Sequence, residues 1–272
     1  MTDLCPARSL GFVGKCLAAS GGCDRIIHGR GCANKKGKQT MDISGMPWGP
    51  DCNHFHPVHD WAALASSGAT FFGAKATEGA HTVDSTFAFH RDGFRANCST
   101  FTKAVWFHFF HCEKDPVSQA ELFAETVGEL QPRETLCCDF EGKSYANGTA
   151  HIDPSVLRAH GIEYLESFYA RLDSLGVLPA GVCPMIYTSN QHWQAIGNPA
   201  WARAAGIDLW VPRYHLPDPQ APADLPSPWT TWQICQYTDG DKGIHQDVPG
   251  CGFVDCNVLA GGMCSTANPE NG

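Results

Sequence analysis

Short apolar, strand-like runs recur along the first half of the chain, at residues 40–43, 70–74, 103–107 and 136–140, an interval of about 32 residues. Between them lie stretches with helix-start signals. Asp115-Pro116 and Asp153-Pro154 each set a capping carboxylate before a proline at the first helical position, predicting helices over 117–130 and 155–175. Residues 59–66, closed by Gly68, and residues 85–95 fill the two earlier intervals. Strand, loop and helix repeated at this spacing predict βα units and a parallel sheet. After Gly176 the pattern changes. Residues 182–187, 208–211, 230–235 and 252–257 read as strands joined by short or proline-rich connections such as 216–228, with few helical segments. Eight strands, the later ones poor in helices, predict an incomplete α/β barrel, whose chemistry collects at the carboxyl ends of the strands.

The composition fits one large core: 272 residues, 43% hydrophobic and 17% charged. No apolar stretch approaches the roughly 20 residues of a membrane span, so no membrane partner is expected. The amino terminus opens with Asp3 and carries Lys15 in its most apolar part, which does not read as a cleavable signal peptide. A net charge of −9 argues against a nucleic-acid partner, and none is expected, because such affinity comes largely from Lys and Arg neutralising phosphates. Lys35-Lys36-Gly37-Lys38 reads as a solvated linker. Fourteen cysteines, spread through the chain, predict disulfide bridges in an oxidising setting, extracellular or on a virion. Zinc is the competing use, but no Cys-x-x-Cys pair is present, and no metal is expected.

The most informative chemistry lies in Leu136-Cys137-Cys138-Asp139-Phe140-Glu141-Gly142, a buried strand running into a glycine turn. Residues i and i+2 leave one face of a strand, about 6.6 Å apart at Cα, which aims Asp139 and Glu141 at one place. Charges ~6 Å apart at an effective dielectric near 20 repel by about 3 kcal/mol, or roughly 2 pKa units. One protonated acid beside one carboxylate is what cleavage of a glycosidic bond requires. A calcium site or two solvated edge residues is the plainer alternative. Cys137 alternates onto the same face as the two acids and Cys138 onto the other. Asp42, Glu78 and His108 also stand at predicted strand ends or in the turns just after them.

Taken in order, these motifs resemble the lysozymes of glycoside hydrolase family 25 from Met41 to about Gly262. Asp42-Ile43-Ser44 is similar to the family's opening Asp-x-Ser, and Lys75-Ala76-Thr77-Glu78-Gly79 with Asp84-Ser85-Thr86-Phe87 to its second strand and helix entry. Phe107-His108-Phe109-Phe110 and Asp139-Phe140-Glu141 resemble its aromatic-His-Phe strand and its catalytic Asp-x-Glu. Ile186-Tyr187-Thr188-Ser189, Leu209-Trp210-Val211-Pro212-Arg213-Tyr214, Gln236-Tyr237-Thr238-Asp239 and Val254-Asp255-Cys256-Asn257 complete the series. Cys235 stands where the family often has Trp.

The resemblance implies a TIM-like (β/α)5(β)3 barrel over residues 41–264 and cleavage of β-1,4 bonds between N-acetylmuramic acid and N-acetylglucosamine in bacterial peptidoglycan, with no cofactor. It implies Glu141 as general acid/base and Asp139 as the anion assisting the substrate N-acetyl group. Asp42 and Asp255 would be the other carboxylates, with Tyr187, Trp210, Tyr214, His108 and Glu78 as substrate-binding residues. A chitinase-like enzyme would need a further Asp where Cys137 stands. A non-catalytic glycan-binding or structural barrel of a phage tail or baseplate is the reading outside enzymes.

Residues 1–40, with four cysteines, hold too few apolar side chains for a core of their own. Docking onto other phage tail or baseplate proteins, wall binding and capping of the barrel end are all open for them. His54, His56 and His59 read as polar surface ahead of a helix, and residues 265–272 as a flexible tail.

Overall fold

The computed structural model describes residues 41–42, 45–142, 144–146, 149–151, 154–213, 220–221, 225–239 and 247–260. The cysteine-rich segment 1–40, the tail 265–272 and Tyr214 lie outside the described residues. Eight strands close into a barrel: β1 (Trp48–Cys52), β2 (Phe71–Glu78), β3 (Lys103–Phe109), β4 (Glu134–Asp139), β5 (Met185–Tyr187), β6 (Asp208–Pro212), β7 (Ile234–Asp239) and β8 (Asp255–Leu259). Neighbours from β1 to β7 pair in parallel, whereas β8 runs antiparallel to both β7 and β1.

Helices follow the first five strands: α1 (Trp61–Ser66), α2 (Phe87–Ala96), α3 (Pro116–Val127), α4 (Pro154–Ser174), then α5 (Asn190–Ala195) and α6 (Trp201–Ala204) after β5. Among the described residues no α-helix follows β6 or β7, as the expected (β/α)5(β)3 arrangement requires. Asp60 caps α1 by accepting from the amides of Ala62 and Ala63 at 2.9 and 3.0 Å. Asp115, before Pro116, accepts from the Ser118 amide at 2.7 Å and starts α3 where the sequence predicts.

The first barrel strand is Trp48–Cys52, not residues 40–43. Met41–Asp42 instead forms a separate two-stranded antiparallel sheet with Gln220–Ala221. Gly49 and Pro50 disguise β1, since both residues are depleted in strands. Gly49 is needed there because a Cβ would meet the Phe71 carbonyl oxygen at 1.9 Å.

Alternation along the strands divides the core in two. Phe72, Trp106, Cys138 and Ile186 face the helices, where Trp106 meets Phe72, Phe87 and Phe94 edge-on. Each buried ring or aliphatic chain of this layer contributes about 1.5–3 kcal/mol. Phe71, Val105, Phe107, Cys137, Met185, Tyr187, Trp210, Ile234 and Leu259 fill the lumen. Cys137 and Cys138 thus lie on the opposite faces expected of them. No disulfide is present among the described residues: Cys52, Cys112, Cys137, Cys138, Cys235, Cys251 and Cys256 are buried as small apolar side chains.

Candidate active site

The lumen is closed below by the Trp210 indole, which meets Phe71, Phe107 and Tyr187 edge-to-face at 5.8, 6.0 and 5.6 Å. Above this plug opens a cavity of about 280 Å3 at the carboxyl rim. Asp139 and Glu141 line it together, at the end of β4 and in the turn after it, Asp139 buried and Glu141 half-buried. The i, i+2 relation seen in the sequence therefore holds in space. Asp255 lines the same cavity although it begins β8, because an antiparallel strand brings its start to the rim where the others end.

Asp51, on β1, is the acid the sequence reading missed. It pairs with Gly73 of β2 and Asp255 of β8 and faces the cavity. Gly73 makes room for it, since a Cβ there would lie 2.6 Å from that of Asp51. Asp42 belongs to the small sheet outside the barrel, and its side chain lies outside the described residues. Spacing was the available signal: the gap from residue 43 to the predicted helix far exceeds the about 2–6 residues of a βα loop, whereas Asp51 stands close to the Asp60 cap.

A polar network fixes these acids. The Trp210 indole N–H donates to Asn257 Oδ1 at 2.8 Å. An indole can only donate, so the Asn257 amide must turn its Nδ2 toward Asp51 Oδ2, 2.7 Å away. Gln236 Nε2 donates to Asp51 Oδ2 at 3.1 Å and to Asp255 Oδ2 at 3.3 Å, while its Oε1 accepts from the Tyr187 hydroxyl at 2.8 Å. Burial pushes the Asp51 carboxyl above its ordinary value, against the opposing pull of Asn257, Gln236 and the charge of His56. A register shift in β7 between Gln236 and Thr238 lets Gln236 and Asp239, three residues apart, both line the cavity.

Lys75 brings a positive charge to the wall, 5.0 Å from the centre of the Phe109 ring. Glu78 does not line the cavity; it holds Lys75 by an ion pair and takes a hydrogen bond from His111 Nε2 at 3.1 Å. His111 and then Lys75 hold the Glu78 carboxyl down to about 2.

His108 is placed differently from its expected role in the sugar groove. It faces the helices, fully buried, and stacks on Phe168 at 5.2 Å. Gln119 turns its Nε2 to the carbonyls of His111 and Lys114, so its Oε1 accepts from His108 Nε2 at 3.1 Å. His108 Nδ1 then accepts from the Thr77 hydroxyl at 2.7 Å. Burial pushes this neutral ring down to about 3. The face is set by register: His108 pairs with Cys138, which also points outward, whereas Phe109 pairs with Asp139 and points in. Tyr187 and Trp210 do line the cavity, but as its floor, with Trp210 only 2% exposed.

Solved structures with this fold include a bacterial lysozyme from Streptomyces coelicolor at a TM-score of 0.63 and 23% identity, covering 80% of this chain and 94% of that one. A muramidase from Acremonium alcalophilum aligns at 0.61 and 24%, over 80% and 95% of the two chains. A family 25 glycosyl hydrolase from Bacillus anthracis aligns at 0.62 and 21%, over 82% and 94%. No curated protein matches the chain. The family model described as Glycosyl hydrolases family 25 matches residues 51–244, starting at the Asp51 that β1 carries to the cavity, and the chain belongs to that family.

Proposed function

We propose that the protein is a peptidoglycan hydrolase, an N-acetylmuramidase that cleaves the β-1,4 bond between N-acetylmuramic acid and N-acetylglucosamine. The observation that carries this reading is that Asp139 and Glu141 line one cavity with Asp51 and Asp255, which the Gln236 amide bridges. Glu141, half-buried beside the opening, gives its proton to the leaving glycosidic oxygen. Asp139, deeper in the wall, accepts from the N–H of the substrate acetamido group and orients its carbonyl oxygen for attack on the anomeric carbon. Water then opens the resulting ring, losing its proton to Glu141 and restoring the starting state. Asp51, anchored by Asn257 and Gln236, takes the place first expected of Asp42, and with Asp255 stabilises positive charge developing on the sugar.

Mass identification of the new reducing end after digestion of defined peptidoglycan tests the assignment. N-acetylmuramic acid is the expected terminus, and Glu141→Gln is expected to lower turnover at least about 100-fold with the fold intact. An N-acetylglucosamine terminus, or full activity in that variant, would refute it. Absence of turnover by the wild-type protein would leave the glycan-binding reading.

A further inference from the structure

The connection between β1 and α1 carries the most exposed large apolar side chain among the described residues, Phe55, 75% accessible and yet lining the acidic cavity. Its loop is firmly held. Asn53 Oδ1 accepts from the Phe55 and His56 amides at 2.8 and 3.3 Å, and Asn53 and His56 also exchange backbone hydrogen bonds at 3.4 and 3.1 Å. His54 donates its backbone N–H to Asp84 Oδ2 at 3.1 Å and sets its Nδ1 2.8 Å from the same oxygen. Asp84 is itself fixed by the Thr86 amide and hydroxyl at 2.9 and 2.6 Å. Its burial works to raise the carboxyl, but the hydrogen bonds from Thr86 and His54 outweigh it and keep the anion. The His54 ring, 3.8 Å from that of Phe55, backs the benzyl group.

An apolar ring left in water at the edge of a polar cavity, on a loop braced by its own Asn53 turn and tied to Asp84 through His54, is built to be covered by a ligand. Its position says which kind. Phe55 follows β1 and the Asp139/Glu141 pair ends β4, three strands further round the mouth, so a chain bound at the acids and crossing the opening passes over the ring. Asp51, Asp139, Glu141, Asp239 and Asp255 line the cavity with groups that hydrogen-bond to hydroxyls. A pyranose offers the complement: a flat C–H face for the aromatic surface and a hydroxyl edge for the carboxylates.

We infer that Phe55 is a stacking platform for a sugar ring of the bound glycan at a subsite away from the scissile bond. This rests on the glycan-hydrolase reading above. The rigid loop means that little freedom is lost when the sugar lands.

The test compares Phe55→Ala, Phe55→Leu and Phe55→Trp on soluble peptidoglycan fragments of one and of several disaccharides. Phe55→Ala and Phe55→Leu are expected to raise KM for the longer fragments about three- to ten-fold with kcat nearly unchanged, while Phe55→Trp keeps the wild-type KM. Thermal midpoints should match, since the side chain is 75% exposed and its ring contact is with its own neighbour His54. The same variants in a Glu141→Gln background, titrated with the longer fragments, should show the same ranking in Kd. Wild-type affinity in Phe55→Ala, or retention by Leu as good as by Trp, would overturn the platform while leaving the hydrolase intact. A wild-type protein that neither binds nor cleaves peptidoglycan would remove the hydrolase reading and the platform together.

Discussion

Asn257 Nδ2 lies 2.7 Å from Asp51 Oδ2, a hydrogen bond between the last strand of the barrel and the first. It closes the sheet with side chains as well as backbone and holds a buried carboxylate in the cavity wall. Asn257→Leu removes the donor and leaves the carboxylate with one amide fewer. The expected cost is about 1–3 kcal/mol in urea unfolding, together with a clear fall in turnover. Unchanged stability and rate would mean that Gln236 alone suffices.

Two aspartates compete for one role, and substitution separates them. Asp51→Asn is expected to lower release of reducing ends about 100-fold. Asp42→Asn, outside the barrel sheet, should leave it nearly unchanged. The reverse ranking would restore Asp42 to the site.

Acid should destabilise the fold through its buried histidines. Burial pushes His108 down to about 3 and His90 down to about 4, against about 6.5 in an unfolded chain. The unfolded chain therefore takes protons first, so this stability is complete above pH ~6.5 and is lost as pH falls toward those values. Glu78, held at about 2 by His111 and Lys75, adds a loss that begins near its unfolded value of 4.5. Asp51, raised by burial, acts in the opposite sense, because protonation relieves it. The net expectation is a decline of up to about 1.4 kcal/mol per pH unit for each histidine between pH 6 and 4, read from urea midpoints. A flat profile would contradict the neutral buried rings.

Cysteine chemistry gives a further check. Cys98 is exposed, whereas Cys52, Cys112, Cys137, Cys138, Cys235, Cys251 and Cys256 are buried. Burial pushes Cys112 and Cys235 up to about 12, which suppresses the reactive thiolate. Brief alkylation of the native protein should mark Cys98 before these seven, which should react after denaturation without reductant. Mass spectrometry of the peptides reads both steps. Early labelling of Cys137 would show a lumen open to reagents.

Local rules carried the sequence reading a long way. Asp115 with Pro116 announced α3, and the i, i+2 rule put Asp139 and Glu141 on one wall. What sequence could not supply came from pairing. The inward or outward choice at His108 depends on its partner Cys138, a residue 30 positions away. Gly49 and Pro50 hid β1, because the close approach of Phe71 selects glycine against strand propensity. The helices α5 and α6, of 6 and 4 residues, are too short for periodicity to register. Gln236 and Asn257 stood in recognised motifs, but neutral amides gain their importance only when two carboxylates converge on them.

The reversed final strand has a practical consequence for anyone excising a minimal catalytic module. A fragment trimmed to the family-matched segment, residues 51–244, would lack the eighth stave. It would lose Asp255 and Asn257, and with them two of the supports around Asp51 and Gln236. It would also cut β1 back to Asp51 and Cys52 and bare the hydrogen-bonding edge of β7, an adhesive margin prone to pair with other molecules. Such a truncation should be recovered as aggregate rather than as a smaller enzyme.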